Sequence, residues 1–285
     1  MKRTIVRVVG HVARRVYPLQ SRYGLARIVH QRLVRHFSYS RKPLSVDYDG
    51  ITFEVMLGDN LQRHLFFSGA YEPELHEVLK RELHGGGVMV DVGANIGIHS
   101  LPVARMLQTS GSEGRVYAFE PAPDTAERLR RMAERNGVAS RVEVVQVALG
   151  DRPRTASLRS ATEYTSLDVG MRSLYGSGGD AIPVQVTAFD TWAESARLTQ
   201  WDVLKMDVEG AETEVLRGMQ RTLSTLRPRL LAIEVVDEHL RRAGSSRVEL
   251  VSLLESIGYR ELPPSELIHG VPASVMTPNT FFRPA

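Results

Sequence analysis

Three short stretches of this chain hold residues whose types and spacing could do chemistry. The first is VMVDVGANIGIHS, residues 88–100, where Asp91 ends an apolar run and Gly93, Ala94, Asn95, Ile96 and Gly97 follow as a turn. Glycines let a ligand approach the backbone. A helix starting there offers free N–H groups and a positive dipole end, suited to a carboxylate or phosphate. A tight strand-to-helix turn holding no ligand would look the same. The second is Glu120, which ends VYAFE and precedes Pro121. An acid at the end of the next strand can accept both hydroxyls of a ribose. A solvated acid capping the following helix is the plain alternative. The third is LKMDVEGAE, residues 204–212, which groups Lys205, Asp207, Glu209 and Glu212. Acids at a helix N-terminus favour its dipole, which accounts for Glu212 and Glu214. Asp207 and Lys205 sit on or beside an otherwise apolar strand, where charge needs another reason.

Together the first two stretches point to an adenosine-containing cofactor. A dinucleotide fingerprint needs glycines spaced G-x-G-x-x-G to admit a pyrophosphate. Here Gly93 is followed by Ala94 and Asn95, and the next glycine is Gly97. An acid directly before the turn suits a cationic amino group or sulfonium better than a pyrophosphate. No Tyr has a Lys four residues on, so the short-chain dehydrogenase pair is missing. These points favour S-adenosylmethionine. An NAD-dependent oxidoreductase and a non-catalytic module keeping the pocket as scaffold are the rival readings.

The elements around these stretches alternate. A hairpin is expected over Ser45 to Leu57 with DYDG as its turn. A helix follows from Pro73 to Leu83 and stops at the glycine run 85–87. VMVDV, RVYAFE, VEVVQVAL, PVQVTAFDTW, WDVLKMDVE and RLLAIEVV read as strands, with TFFR as a last one. IHSLPVARML reads as a helix that accepts Pro102 only near its first turn. PDTAERLRRMAERNG reads as a helix with Asp124 as N-cap and Gly137 as its stop. ETEVLRGMQRTLSTL and RVELVSLLESIGY read as two more. The Gly/Ser/Arg-rich stretch Asp151 to Asp180 breaks the pattern as an insertion. Strands alternating with helices imply a mostly parallel sheet, with ligands bound where strand order reverses.

With 285 residues and no cysteine, the chain has neither a disulfide framework nor a thiolate site. From Met1 to Val46 there are many Arg and Lys and no Asp or Glu, so the basic pI belongs to this tail. No nucleic-acid partner is expected for the core. Ile5, Val8, Val9, Val12 and Val16 fall near one helical face, and a second helix is expected from Tyr23 to Phe37. The tail reads either as a basic arm or packed helix, or as a peripheral contact with an anionic membrane. Arg7, Arg14 and Arg15 interrupt any signal-peptide core. A cytoplasmic protein is expected, with the inner membrane face as its peripheral site. The organisation expected is a basic extension over 1–46, strands and a helix over 47–84, and a Rossmann-like domain over 85–285.

The pieces DVGANIGIHS, YAFEPAPDTAERLRRMAERNG, VQVALGD, VTAFDTW, LKMDVEGAETEVLRGM and LLAIEV, in this order, resemble the FkbM-type methyltransferases. The resemblance spans roughly Tyr71 to the C-terminus. It implies a class I Rossmann-like α/β fold with a mostly parallel, seven-stranded sheet and helices on both faces. It implies O-methylation by S-adenosylmethionine of a hydroxyl on a sugar, glycolipid or secondary metabolite. By position, Asp91, Gly93, Ala94, Asn95 and Gly97 surround the methionine part of the cofactor. Glu120, with Pro121, holds the ribose, and Ala148, at the end of VQVAL, borders the adenine. Asp207 and Glu209 face the transferred methyl. Asp207 is the first candidate base, then Glu209, then His99, with Lys205 orienting Asp207 or pairing with it. Substrate choice is expected in the N-terminal extension and the Asp151 to Asp180 loop. The acids of residues 207–212 are of a type that binds Mg²⁺, but nothing fixes octahedral spacing, so no metal site is assigned. The resemblance carries no role to His239, which follows its strand at a greater distance than the His of many relatives.

Overall fold

The computed structural model describes residues 9–13, 43–160, 172–263, 266–267 and 278–285. Residues 9–13 are helical. The remaining readings of the basic tail, including the helix from Tyr23 to Phe37, and the centre of the insertion lie outside the described residues. The chain divides into two compact units at Pro73.

In the first unit, strands β1 (Leu44–Tyr48) and β2 (Ile51–Val55) form the expected antiparallel hairpin. Asp49 and Gly50 both have positive φ, which gives the turn the twist a two-residue hairpin prefers. Leu44, Val46, Tyr48, Ile51, Phe53 and Val55 alternate inward. A helix the sequence reading left unassigned follows at Asn60–Ser68, capped by the Asp59 carboxylate, which accepts from Gln62 N at 2.9 Å.

The second unit begins in the helix Pro73–Leu83, which ends where the glycine run predicts. Its main sheet has seven strands: β3 (Val88–Val92), β4 (Arg115–Phe119), β5 (Val142–Val145), β10 (Val203–Met206), β11 (Leu230–Glu234), β12 (Tyr259–Leu262) and β13 (Asn279–Pro284). Their order is β12-β13-β11-β10-β3-β4-β5. Strands β11, β10, β3, β4 and β5 run parallel, and β13 pairs antiparallel with β11 and β12. This is the mostly parallel, seven-stranded sheet that the resemblance implies. Order reverses between β3 and β10, so their carboxyl ends, after Val92 and Met206, flank the switch point.

Several boundaries differ from the sequence reading. VEVVQVAL breaks after Val145, and β6 (Ala148–Gly150) joins a separate four-stranded sheet. That sheet also holds β7 (Arg154–Ser160), β8 (Arg172–Ser173) and β9 (Gly178–Ala188), so the insertion is regular where it is described. Its apolar filling is Ala122, Ala148, Leu158, Val184 and Val186. PVQVTAFDTW is a strand only to Ala188. A helix over Phe189–Ser195 follows because Asp190 accepts from Thr222 N and Oγ1, while Phe189 and Trp192 stack with Phe119. The helix Pro123–Arg135 is capped by Ala122, not Asp124, since Pro123 lacks an N–H and takes the first helical position. The helix expected over 212–226 is two, Glu212–Arg217 and Gln220–Leu226. At the break, Asp190 N donates to Gly218 O, and a Cβ on Gly218 would lie 1.9 Å from Gly150 O. Pro102 is third in the helix Ser100–Thr109, where it is tolerated.

Candidate active site

Asp91 on β3 and Lys205 on β10 are register partners in adjacent strands. Both are almost wholly buried. Lys205 Nζ lies 3.5 Å from Asp91 Oδ1, 3.8 Å from Asp207 Oδ2, and 3.4 Å from the Gly93 carbonyl. Ser100 Oγ donates to Asp91 Oδ2 at 2.6 Å. A buried ammonium therefore sits between two carboxylates at the switch point. Burying these charges is tolerable only because they are paired. Asp91 is the inner, closed member of the pair, and Asp207, with 28% of its side chain exposed, is the open one.

The turn after β3 is shaped by the protein itself. Gly93 has φ +79°, and a Cβ there would lie 1.8 Å from the Asp207 carbonyl oxygen. On Gly97, at φ +81°, it would lie 2.3 Å from Leu129. Both glycines are thus required by the chain's own packing, whatever ligand comes close. Gly93 N and Ala94 N both donate to Phe119 O. Asn95 adopts φ 50°, and its N–H donates to Glu120 Oε2 at 2.9 Å. Ala122 N donates to Glu120 Oε1 at 2.9 Å. Glu120 is buried, and its pKa is pushed up from 4.5 to about 7. Burial is the dominant cause, partly offset by the two backbone N–H groups and by the Arg172 charge. Pro121 is half-buried beside it, and Ala148 is buried in the apolar filling of the second sheet, with Ala122.

The loop after β10 carries the other candidates. Glu209 has φ 56°, a left-handed conformation costly for a non-glycine residue. Three contacts hold it. Ser173 Oγ donates to the Glu209 carbonyl at 2.7 Å. The buried Glu212 Oε1 accepts from Val208 N and Gly210 N, at 3.2 and 3.1 Å. Gly210, at φ +111°, leaves room for the His239 carbonyl, which a Cβ would approach to 2.6 Å. Burial pushes the Glu212 pKa up to about 7, against those backbone bonds. The Glu209 carboxylate Oε2 then lies 3.0 Å from His239 Nδ1. That carboxylate raises the His239 pKa above the ordinary imidazole range.

Among the candidate bases, Asp207 and Glu209 share this loop. His99 precedes the helix Ser100–Thr109, is buried, and packs 6.0 Å from the His76 ring. The sequence reading missed Arg172, Ser173 and Glu234, and gave His239 no role. Arg172 forms a two-pronged pair with Asp124, at 2.8 and 3.3 Å. Burial tends to raise the Asp124 pKa, but Arg172 outweighs it and holds the carboxyl below its usual value. Glu214, read as a dipole acid, in fact reaches the second sheet, where Arg154 and Tyr175 donate to it. No signal in a single sequence ties positions so far apart.

A family model for the methyltransferase FkbM domain matches residues 91–261. The hexuronic acid methyltransferase AglP of Haloferax volcanii is 28% identical over 188 residues, 65% of this chain and 72% of that protein. The 2-O-methyltransferase NoeI of Sinorhizobium fredii is 27% identical over 211 residues, covering 68% and 79%. The 31-O-demethyl-FK506 methyltransferase FkbM of Streptomyces tacrolimicus is 30% identical over 203 residues, covering 62% and 74%. A solved FkbM methyltransferase from Methylobacillus flagellatus aligns with a TM-score of 0.45 at 18% identity, over 90% of this chain and 60% of that one.

Proposed function

This chain belongs to the FkbM methyltransferase family, and from that premise we propose that it transfers a methyl group from S-adenosylmethionine to a hydroxyl of a sugar, glycolipid or secondary metabolite. Catalysis is assigned to residues 85–285. The single observation that carries the reading is the pair of carboxylate stations at the switch point, Glu120 on one side and Asp207 on the other.

The residues present fit an adenosine-containing cofactor. Each Glu120 oxygen accepts one backbone N–H and keeps a second lone pair for a ribose hydroxyl. Asn95 Oδ1 is buried without a hydrogen-bond partner in the turn that would face the cofactor. An unmet buried acceptor of this kind calls for a donor. When bound, S-adenosylmethionine supplies an activated methyl on a sulfonium. Glu120 orients it, and the closed Asp91–Lys205 pair fixes the floor below. Asp207 would take the proton of the acceptor hydroxyl, freeing that oxygen for the methyl group the bound cofactor would supply. Lys205 holds the Asp207 carboxylate in place. In-line alignment supplies much of the acceleration.

The acceptor class follows the relatives, whose names specify a hexuronic acid, a 2-O position and a demethylated FK506. The basic extension over 1–46 reads either as an arm or helix packed on the domain or as a peripheral contact with an anionic membrane. Among the described residues no helix is long and apolar enough to cross a membrane. Flotation of the full chain with anionic vesicles tests that contact. Calorimetry with S-adenosylhomocysteine and with NAD tests the cofactor. Tight NAD binding without S-adenosylhomocysteine binding would sink the reading.

A further inference from the structure

We propose that Glu209, Glu234 and His239 form a binding site for a divalent cation, open on one side to the acceptor. The three side chains come from three segments: the loop after β10, the end of β11 and the helix Asp237–Arg242. One ligand atom from each lies within 4.8 Å of the other two.

The spacing fits two ligands of one ion. Glu209 Oε2 and His239 Nδ1 are 3.0 Å apart. Neither atom has exposed surface. Two adjacent ligands of an octahedral ion with bonds of about 2.1 Å lie about 3.0 Å from each other. Glu209 and His239 keep only 14% and 18% of their side chains exposed, so this is no loose surface cluster.

The loop is also built for the purpose. Glu209 is held at positive φ by Ser173 on its carbonyl, by Glu212 on the flanking N–H groups and by the Gly210–His239 packing. Strain of this sort persists only where the surroundings over-determine it. Two carboxylates and one imidazole suit Mn²⁺ or Mg²⁺-like coordination with water completing the shell. The chain has no cysteine to favour a softer metal. Glu209 lies two residues from Asp207, so acceptor oxygens could replace that water. A cation there would lower the hydroxyl pKa before Asp207 takes the proton. This last consequence rests on the proposed function. The binding itself does not.

Mn²⁺ is the probe. The full chain, stripped with a chelator, is titrated with Mn²⁺ and followed by electron paramagnetic resonance. One saturable site per chain is expected, displaced by excess Mg²⁺. Glu209→Gln, Glu234→Gln and His239→Ala should each weaken Mn²⁺ binding roughly tenfold or more. Circular dichroism and S-adenosylhomocysteine binding report whether each variant is folded. In the wild type, Mn²⁺ should broaden the His239 ring resonance in a proton spectrum. A His239 signal left sharp at saturating Mn²⁺ overturns the site without any variant. Equal Mn²⁺ affinity in folded variants overturns it as well. Failure of S-adenosylhomocysteine to bind the wild type, with Mn²⁺ bound at His239, would instead remove the proposed function and leave the cation site standing.

Discussion

The two sides of the switch point are built by opposite means. On the β3 side, the turns after β3 and β4 are joined through backbone groups. Gly93 to Gly97 folds back on Phe119, and backbone N–H groups from Asn95 and Ala122 fix Glu120. On the β10 side, four separate segments converge. Ser173 from the second sheet, Glu212 from the next helix, Glu234 from β11 and His239 beyond it all bear on one loop around Glu209. Backbone-built geometry is fixed by local sequence and tolerates few substitutions. Side-chain-built geometry can vary one partner at a time, and that freedom suits the side that must match different acceptors.

The largest expected effect tests the rigid side. Gly93→Ala would set a Cβ 1.8 Å from the Asp207 carbonyl at a φ that L-residues avoid. Since backbone cannot move aside cheaply, destabilisation of about 4 kcal/mol or more is expected, enough to abolish soluble expression or cofactor binding. A melting temperature within a few degrees of wild type would show that the turn is looser than this packing requires.

Next is the open side. Asp207→Asn should keep most S-adenosylhomocysteine affinity and lose turnover by roughly 10²–10⁴-fold, the span typical of general base catalysis. If affinity falls first while turnover at saturating cofactor survives, Asp207 belongs with the binding half. The comparison would then have its boundary in the wrong place.

Glu120→Gln should weaken cofactor binding by about 1.5–3 kcal/mol, the worth of hydrogen bonds to a charged acceptor. Its pH dependence sharpens the test. Without cofactor, Glu120 titrates near 7 because of burial. Binding requires the ionised form, so affinity should rise with pH up to about 7 and then level off. The stability of the unliganded protein runs the other way. A folded pKa raised above the ordinary 4.5 gives stability that is full below 4.5 and lost as pH rises through about 7. Glu212 contributes in the same sense. Thermal melts of the unliganded protein should therefore decline between about pH 4.5 and 7, by a smaller amount in Glu120→Gln. A wild-type profile that is flat, or one that rises, contradicts the burial argument.

The same contrast decides what a single sequence could reveal. Asp91, the Gly93–Gly97 turn and Glu120 lie at the ends of apolar runs, so strand periodicity alone locates them. The helix Pro73–Leu83 and the turn at Asp49 and Gly50 were legible for similar local reasons. The break after Val145 was not, because QVAL has the same apolar character whichever sheet receives it. Nor was the split at Gly218, which depends on a carbonyl from Gly150 far along the chain. Asp207 and Glu209 were visible as charges beside an apolar strand. Their partners Ser173, Glu234 and His239 are ordinary residues until the fold assembles them.

The smallest expected effect probes an element of the second sheet that touches both sides. In β8, successive side chains point to opposite faces. Arg172 reaches Asp124 and biases Glu120, while Ser173 reaches the Glu209 carbonyl. The Arg172–Asp124 pair is partly exposed, so its loss should cost less than about 1 kcal/mol of stability. Its electrostatic signature is clearer than its energy. Arg172 lowers the Glu120 pKa and Asp124 raises it. Arg172→Ala should therefore move the pH midpoint of cofactor affinity upward. Asp124→Asn removes the opposing charge and should move it downward. Both variants break the same ion pair, so a purely structural role would shift the two midpoints together, or neither. Opposite shifts, read from S-adenosylhomocysteine affinity between pH 5.5 and 8.5, about the Glu120 value near 7, would show that the second sheet tunes the rigid side by charge. Shifts of one sign would confine β8 to holding the loop at Glu209.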